Sequence, residues 1–340
     1  MTKRIEYLDA TKGFAIFLMV FAHVIAWNFS DYSQVVNYSP EQTENLKIAG
    51  FLWQVIYSFH MPLFFMISGY LAYRLGGANN VVDALFKKSK RLLIPYLVTG
   101  FLILLVRPNF GYWFLFALWE LQILSVVISW LMEKLNRKNS LWIDILVILP
   151  FYLFVNYVLT LPQLKNPVCN FGQCAGFFIP FFFGFLLRKY EKIRAFTEGK
   201  FLLYLMLFIC LFVTRYYNGE NNIIRLFCRG VSFLNDYSLI AIIGSLLCIE
   251  LFRMGINKKV ETFFSYLGKN TLEIYVLHVF FVFQIKEVGD FWLSTNMPTC
   301  LTSQIVYCGI VSIISIGLAL ALAQFLKRSK LLSSLMFGTK

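Results

Sequence analysis

Lys12-Gly-Phe-Ala-Ile-Phe-Leu-Met-Val-Phe-Ala-His23 is an apolar run bracketed by a cation and an imidazole. On an α-helix those eleven steps advance about 1100°, close to three whole turns, and roughly 16 Å along the axis, so Lys12 and His23 share nearly one face. With Lys12 at a membrane surface, His23 falls near the bilayer midplane. A titratable group at that depth is expensive to place and points to a functional site, the alternative being a buried, partnered structural histidine.

The rest of the chain makes the membrane reading general. Of its 340 residues 59% are hydrophobic and 14% charged, with a mean hydropathy of +0.67, whereas about a quarter of a soluble domain is charged. Apolar runs near the roughly 20 residues that span a bilayer fall at about 11–29, 51–73, 91–106, 112–132, 141–160, 174–188, 200–214, 232–252, 263–285 and 303–326. The expected fold is therefore all-α, a polytopic bundle of about ten transmembrane helices forming one domain over residues 1–340, with both termini cytoplasmic. In that arrangement only Lys47, Arg107, Lys165, Arg215, Arg225, Arg229 and Lys286 of the 31 Lys and Arg lie outside. The net charge of +13 then follows the positive-inside rule and is no nucleic-acid footprint. Lys3 and Arg4 before the first run resemble a signal peptide, but the run is long and contains His23, so a retained first helix is expected. Seven cysteines offer no metal spacing. Cys169 and Cys174 share an expected outer loop, where an oxidising compartment would let them pair; Cys210 and Cys248 read as buried apolar thiols.

Several further residues stand out. The second span holds Tyr57-Ser-Phe-His-Met-Pro-Leu-Phe-Phe-Met-Ile-Ser-Gly-Tyr70, where Pro62 removes a backbone donor and should kink the helix just after His60, freeing carbonyls. His60 is then either satisfied by such a carbonyl or part of a site. Ser68-Gly69 reads as a small patch for close helix approach, with a chemical role for the hydroxyl as the alternative. Arg91 ends a basic inner loop at the mouth of the third span, and with Lys12 could clamp phosphates. Glu120 lies well inside the fourth span and needs a partner on a neighbouring helix or a function. The first outer loop, 30–50, is long enough to cover an opening, and the outer stretch 215–236 is rich in mixed polar residues that suit a hydroxyl-rich ligand or a solvated loop. After Gly268, Asn270 or Thr271 can cap a helix start leading to His278. All three histidines are therefore expected inside the membrane.

These motifs together resemble the acyltransferase-3 family of integral membrane acyltransferases. Lys12-x10-His23 resembles its basic-x10-His signature, and Phe59-His60-Met61-Pro62-Leu63-Phe64-Phe65 through Ser68-Gly69-Tyr70 resembles the second-helix motif of the branch related to fucose O-acetylases. Arg91 through Pro95-Tyr96, Tyr112-Trp113-Phe114-Leu115 and Leu267-Gly268-Lys269 through Ile274-Tyr275 to His278 are similar to further family landmarks in the family's order. Lys12 stands where many members have arginine and lacks the bidentate fork. The resemblance implies a multi-pass protein of the inner, cytoplasmic membrane with no permanently bound cofactor and no metal. It would move an acyl group, usually acetyl, from acyl-CoA as co-substrate to a hydroxyl of a surface polysaccharide or lipid-linked sugar acceptor. In this reading Lys12 and Arg91 hold the CoA phosphates, and His23 is general base or carries the acyl group itself. Glu120 orients or charge-balances an imidazole; His60, Ser68 and His278 line the acceptor path or support it. A proton-coupled transporter or flippase is the reading from another class, since midplane histidines, Glu120 and a broken helix also mark carriers; no inverted repeat relates the two halves.

Overall fold

The computed structural model describes residues 5–29, 44–73, 81–106, 113–136, 139–161, 174–217 and 236–338, and the regular structure among them is helical throughout. In chain order the helices are α1 (Glu6–Trp27), α2 (Glu44–Tyr57), α3 (His60–Ala72), α4 (Val81–Val106), α5 (Trp113–Leu135) and α6 (Leu141–Leu153), the last prolonged by a π turn at Phe154–Val158. Then come α7 (Phe178–Lys189), α8 (Glu191–Thr197), α9 (Phe201–Tyr217), α10 (Asp236–Arg253), α11 (Lys258–Lys269), α12 (Thr271–Leu277) with a 3-10 turn at His278–Phe280, α13 (Lys286–Ser294), α14 (Met297–Leu326) and α15 (Lys330–Phe337). Residues 30–43 of the expected first outer loop, 218–235 of the second, and Cys169 with its expected pairing lie outside the described residues.

Among the described residues five helical stretches are long and apolar enough to cross a membrane: α1, α2 with α3, α5, α6 with its π turn, and α14. A sixth is reached if α8 and α9, bent by 74°, make one span. The shortfall from ten has local causes. Helix α4 starts at Val81 rather than at the expected 91, because Lys and Arg are good helix formers and Lys87 pairs with Asp83 one turn back at 2.6 Å. Arg91 thus sits inside a helix and not at its mouth. Helix α7 has only 12 residues, and the expected span 263–285 breaks at Asn270 into α11, α12 and the 3-10 turn. Residues 44–50, expected in a loop, open α2.

Helix α14 shows what solvent the fold is built for. It buries Cys300, Gln304, Cys308, Ser312, Ser315, Ile316, Ala319 and Ala323, all but one of them small or polar, along one stripe and exposes Ile305, Val306, Ile310, Ile313, Ile314, Leu318 and Phe325. Water would select the opposite pattern. Lipid tails accept the large apolar side chains, while small and polar residues permit close helix contact, so the chain is a membrane protein.

The break between α2 and α3 falls at Ser58-Phe59, two residues before the expected kink. Pro62 thereby occupies the first turn of α3, where its missing N–H is not needed. The freed carbonyls find side chains: Ser58 Oγ donates to Val55 O at 2.7 Å and His60 Nδ1 to Ile56 O at 2.9 Å.

The chain divides into two compact units, Met1–Phe64 with Glu198–Gln324, and Phe65–Thr197 with Phe325–Lys340. In the first, α1 packs on α2, α10 and above all α11, with Phe14, Phe252 and Phe264 in mutual ring contact at 5.4 to 5.9 Å. In the second, α4 lies on α5 and α15, and α5 on α6. There Gly69 meets the Phe181 carbonyl and Gly184 the Met66 carbonyl so closely that a Cβ would fall 1.8 and 1.9 Å from oxygen. A buried ion pair closes the basic end of α6 and α7: Asp144 takes Lys189 Nζ at 2.5 Å, the Tyr190 hydroxyl at 2.7 Å and Asn136 Nδ2 at 2.7 Å.

Candidate functional site

The site is set by how α1 is held. A Cβ on Gly13 would lie 1.7 Å from Phe264 O, and one on Gly268 1.7 Å from Asp9 O. Two glycines therefore let the backbones of α1 and α11 touch, and nothing larger fits at either position.

At the first turns of α1 the contacts are ionic. Lys12 Nζ pairs with Asp9 Oδ1 at 2.8 Å, Lys12 remaining partly accessible and Asp9 buried. Arg253, at the end of α10, bonds the Tyr7 hydroxyl at 3.2 Å and pairs with Glu250 and with Glu198, the latter at 3.3 Å. Glu250 also accepts from Gly199 N at 2.7 Å. Lys258 bridges to Glu261 at 3.0 Å and Glu6 at 3.3 Å, and those carboxylates hold it above the ordinary lysine range.

Near the other end of α1, His23 Nδ1 lies 3.0 Å from His278 Nε2, the rings stacked at 9° with centroids 5.1 Å apart. Trp27, one turn on, stacks on His23 at 5.3 Å. The tautomers are assigned from the partners. His278 Nδ1 faces two carbonyl oxygens, Tyr275 O at 2.8 Å and Ile274 O at 3.1 Å, which only accept, so Nδ1 carries the proton. Neutral His278 then offers a lone pair at Nε2, and His23 must donate to it through Nδ1–H. The second nitrogen of His23, Nε2, is left as its basic atom. His278 is fully buried and His23 only half-buried, so His23 is the member of the pair that an incoming group can reach.

His278 reaches this position because the chain breaks at Asn270. That residue takes a non-helical conformation at the start of α12, as its spacing after Gly268 predicts, but its side chain does not cap α12; Nδ2 donates back to Tyr266 O at 2.9 Å. His60 is fully buried at the start of α3, directly after the helix α2 that packs on α1. All three histidines thus belong to the first unit, with His23 and His278 in contact.

Glu120, Ser68 and Arg91 belong to the second unit. Glu120 is buried on α5 beside Cys174, a free buried cysteine. The Ser68 carbonyl accepts from Gln122 Nε2 at 3.4 Å, and Gln122 also accepts from Lys88 Nζ. Arg91 is exposed on α4, its backbone against Gly338, which has φ +60° and follows α15.

Sequence reasoning missed Asp9 and Trp27, although the spacings that reveal them were legible: three residues before Lys12 and four after His23 put them on the same helix faces. Nothing in the sequence joins Cys174 to Glu120.

A family model described as an acyltransferase domain, acyltransferase 3, matches residues 5–107 and 104–324. The nodulation protein NolL of Sinorhizobium fredii is 32% identical over 153 residues, 39% of this chain and 37% of that protein. The similarity spans little more than a third of the relative's length. No solved structure matches.

Proposed function

We propose that this chain, which belongs to the acyltransferase 3 family of membrane acyltransferases, moves an acyl group, acetyl in the simplest case, from acyl-CoA to a hydroxyl of a surface polysaccharide or lipid-linked glycan precursor. His23 is the general base. The observation that carries this is the 3.0 Å contact of His23 Nδ1 with His278 Nε2: with His278 Nδ1 anchored on Tyr275 O, the assigned tautomers make His23 the donor at Nδ1 and leave its Nε2 basic.

In the reaction the acceptor oxygen attacks the thioester carbonyl and gives its proton to His23 Nε2. The C–O bond forms, the C–S bond breaks, and the proton passes from His23 to the departing thiolate to give CoA. A general base of this kind contributes about 10²- to 10⁴-fold. His278 stabilises the imidazolium by accepting from Nδ1–H. CoA approaches from the Lys12 end of α1, where its phosphates meet Lys12. The pantetheine arm covers the roughly 16 Å to His23. Lys12 is held by Asp9, which orients the ammonium, so Lys12→Ala raises the KM for acyl-CoA without loss of fold.

The chain is read as crossing the inner membrane ten times with both termini cytoplasmic, α4, α7, α9, α10 and the α11–α12 pair adding shorter or more charged crossings to the long ones. Labelling of single cysteines placed within 31–47 from the cytoplasmic side would overturn that orientation.

The deciding experiment incubates purified protein with labelled acetyl-CoA and candidate glycans, wild type beside His23→Ala. Transfer by wild type that falls at least 100-fold in the variant is expected. No transfer or CoA release with any acceptor, together with saturable substrate flux in liposomes, would replace the enzyme with a carrier.

A further inference from the structure

Besides Ser312 Oγ, three polar atoms among the described residues of the first unit are fully buried without a hydrogen-bond partner: Trp53 Nε1, His60 Nε2 and Gln304 Oε1. Their residues are 5%, 0% and 0% exposed. An unmet buried donor or acceptor loses the hydration it had in the unfolded chain and gains nothing in return, and one such cost in a unit is easily tolerated. Three connected ones call for a common reason.

They are connected. Trp53 stacks on Tyr57 with centroids 3.9 Å apart, and Tyr57 meets His60 edge-on at 4.5 Å. Ala49, Trp53 and Tyr57 recur every four residues, so they share one face of α2. Gln304 donates through Nε2 to Ala49 O at 2.8 Å, which leaves its Oε1 beside the turn that precedes Trp53. His60 is committed at Nδ1 to Ile56 O, so its Nε2 presents a lone pair, and α2, which leads into His60, packs on α1, the helix that carries His23.

The row also has a direction. Asn28, just past α1 on the side away from Lys12, accepts from Ile285 N at 2.9 Å, and Gln284 donates to Phe29 O at 3.3 Å. Helix α13, which follows, sits against Asn28 through Gly289 and packs on α2. Helix α14 starts directly after α13 and brings Gln304 to Ala49. The Gln304 end of the row is therefore the end of α1 opposite Lys12, and the row runs from there toward His23.

We infer that Trp53, His60 and Gln304 form the acceptor subsite, which binds the ring of a saccharide through its hydroxyls and admits it from the end of α1 opposite the donor. A donor N–H, two acceptor atoms and neighbouring aromatic faces are what a pyranose needs: hydroxyls both give and take hydrogen bonds, and C–H faces lie on rings. Donor and acceptor then approach His23 from opposite ends. This inference rests on the acyl-transfer reading for its reaction, but the subsite itself is tested by binding.

The test uses full-length protein in detergent, acetyl-CoA, and a panel of methyl glycosides of common hexoses and 6-deoxyhexoses, read by acetyl transfer and by thermal shift. Trp53→Phe keeps the ring and deletes the N–H. One neutral hydrogen bond is worth about a twofold to thirteenfold change, so the KM for the best glycoside rises by that factor while the KM for acetyl-CoA stays. The melting temperature holds or rises, because an unmet buried donor has been removed. Gln304→Met keeps the volume, deletes both amide atoms, and repeats the test should Trp53→Phe not fold. A glycoside KM unchanged within twofold in both variants overturns the subsite and leaves the enzyme standing. Wild type that turns over acetyl-CoA yet neither binds nor acetylates any glycoside does the same. Wild type with no acetyl-CoA turnover, but stabilised by a glycoside in a way that Trp53→Phe abolishes, keeps the subsite and removes the acyltransfer reading.

Discussion

Replacing Gly13 by alanine tests the geometry at its tightest point. The new Cβ would sit 1.7 Å from Phe264 O, and Cβ contacts below 3.0 Å are essentially never seen, so α1 and α11 must part by about 1.3 Å. If α1 tilts about its far end, pinned where Asn28 holds Ile285 N, His23 is a third of the way along the lever from Asn28 to Gly13 and shifts by about 0.4 Å. If α1 slides as a body, His23 moves by the whole 1.3 Å. The His23–His278 separation of 3.0 Å then opens to between about 3.4 and 4.3 Å, at or past the limit of a hydrogen bond. A misplacement near 1 Å costs about 10²-fold in rate, so kcat should fall about 10- to 100-fold. Overpacking of this kind also lowers stability by about 1–3 kcal/mol. Initial rates with labelled acetyl-CoA and unfolding of the same preparation supply both numbers. Gly268→Ala strikes the crossing from the other side and should match. Gly309→Ala and Gly317→Ala, with nothing within 4 Å of either Cβ, should leave the rate unchanged and hold or raise the stability, since alanine is the better helix former. Wild-type rate and stability in Gly13→Ala would refute the claim that this crossing positions His23.

His278→Phe keeps a ring in place but removes the acceptor for His23 Nδ1–H. It should lower kcat by about 10²- to 10⁴-fold with the acyl-CoA KM unchanged in steady-state assays, and an undiminished kcat removes His278 from the site. Because the base must be neutral, kcat/KM rises with pH along an acid limb that belongs to the coupled pair of imidazoles, and His278→Phe should move that limb. In the second unit, Asp144→Ala strands Lys189 in a buried position and should cost about 3–5 kcal/mol. Thermal unfolding of Asp144→Ala with Lys189→Met should recover much of that loss, and a double variant no better than the single one would mean the pair does not hold the helices.

The sequence announced the histidines because lipid makes them conspicuous: no polar loop explains His23, His60 or His278, and the structure places all three in one unit, with His23 and His278 in contact. The helix ends were less legible. The positive-inside rule places a boundary where charge begins, near 91, whereas backbone hydrogen bonding ignores charge and carries α4 back to Val81. Pro62 signalled a break, but its ring fits a first turn better than a kink, so the chain opens at Ser58-Phe59 instead. The glycines at 13 and 268 gave no sign of being partners, since their meeting depends on two backbones 255 residues apart in sequence arriving at one crossing. The same holds for Trp53 and Gln304, whose unmet atoms exist only after the helices around them have closed.

That separation has a consequence for biogenesis. His23 leaves the ribosome early and its partner His278 follows 255 residues later, which at about 5–20 residues per second is a wait of roughly 10–50 s. During that interval α1 resides in the bilayer with its glycine groove uncovered and an imidazole lacking the acceptor that fixes its proton. The insertion machinery or a neighbouring segment must shelter it, and nascent chains halted before residue 278 should be inert and short-lived however well their early helices have inserted.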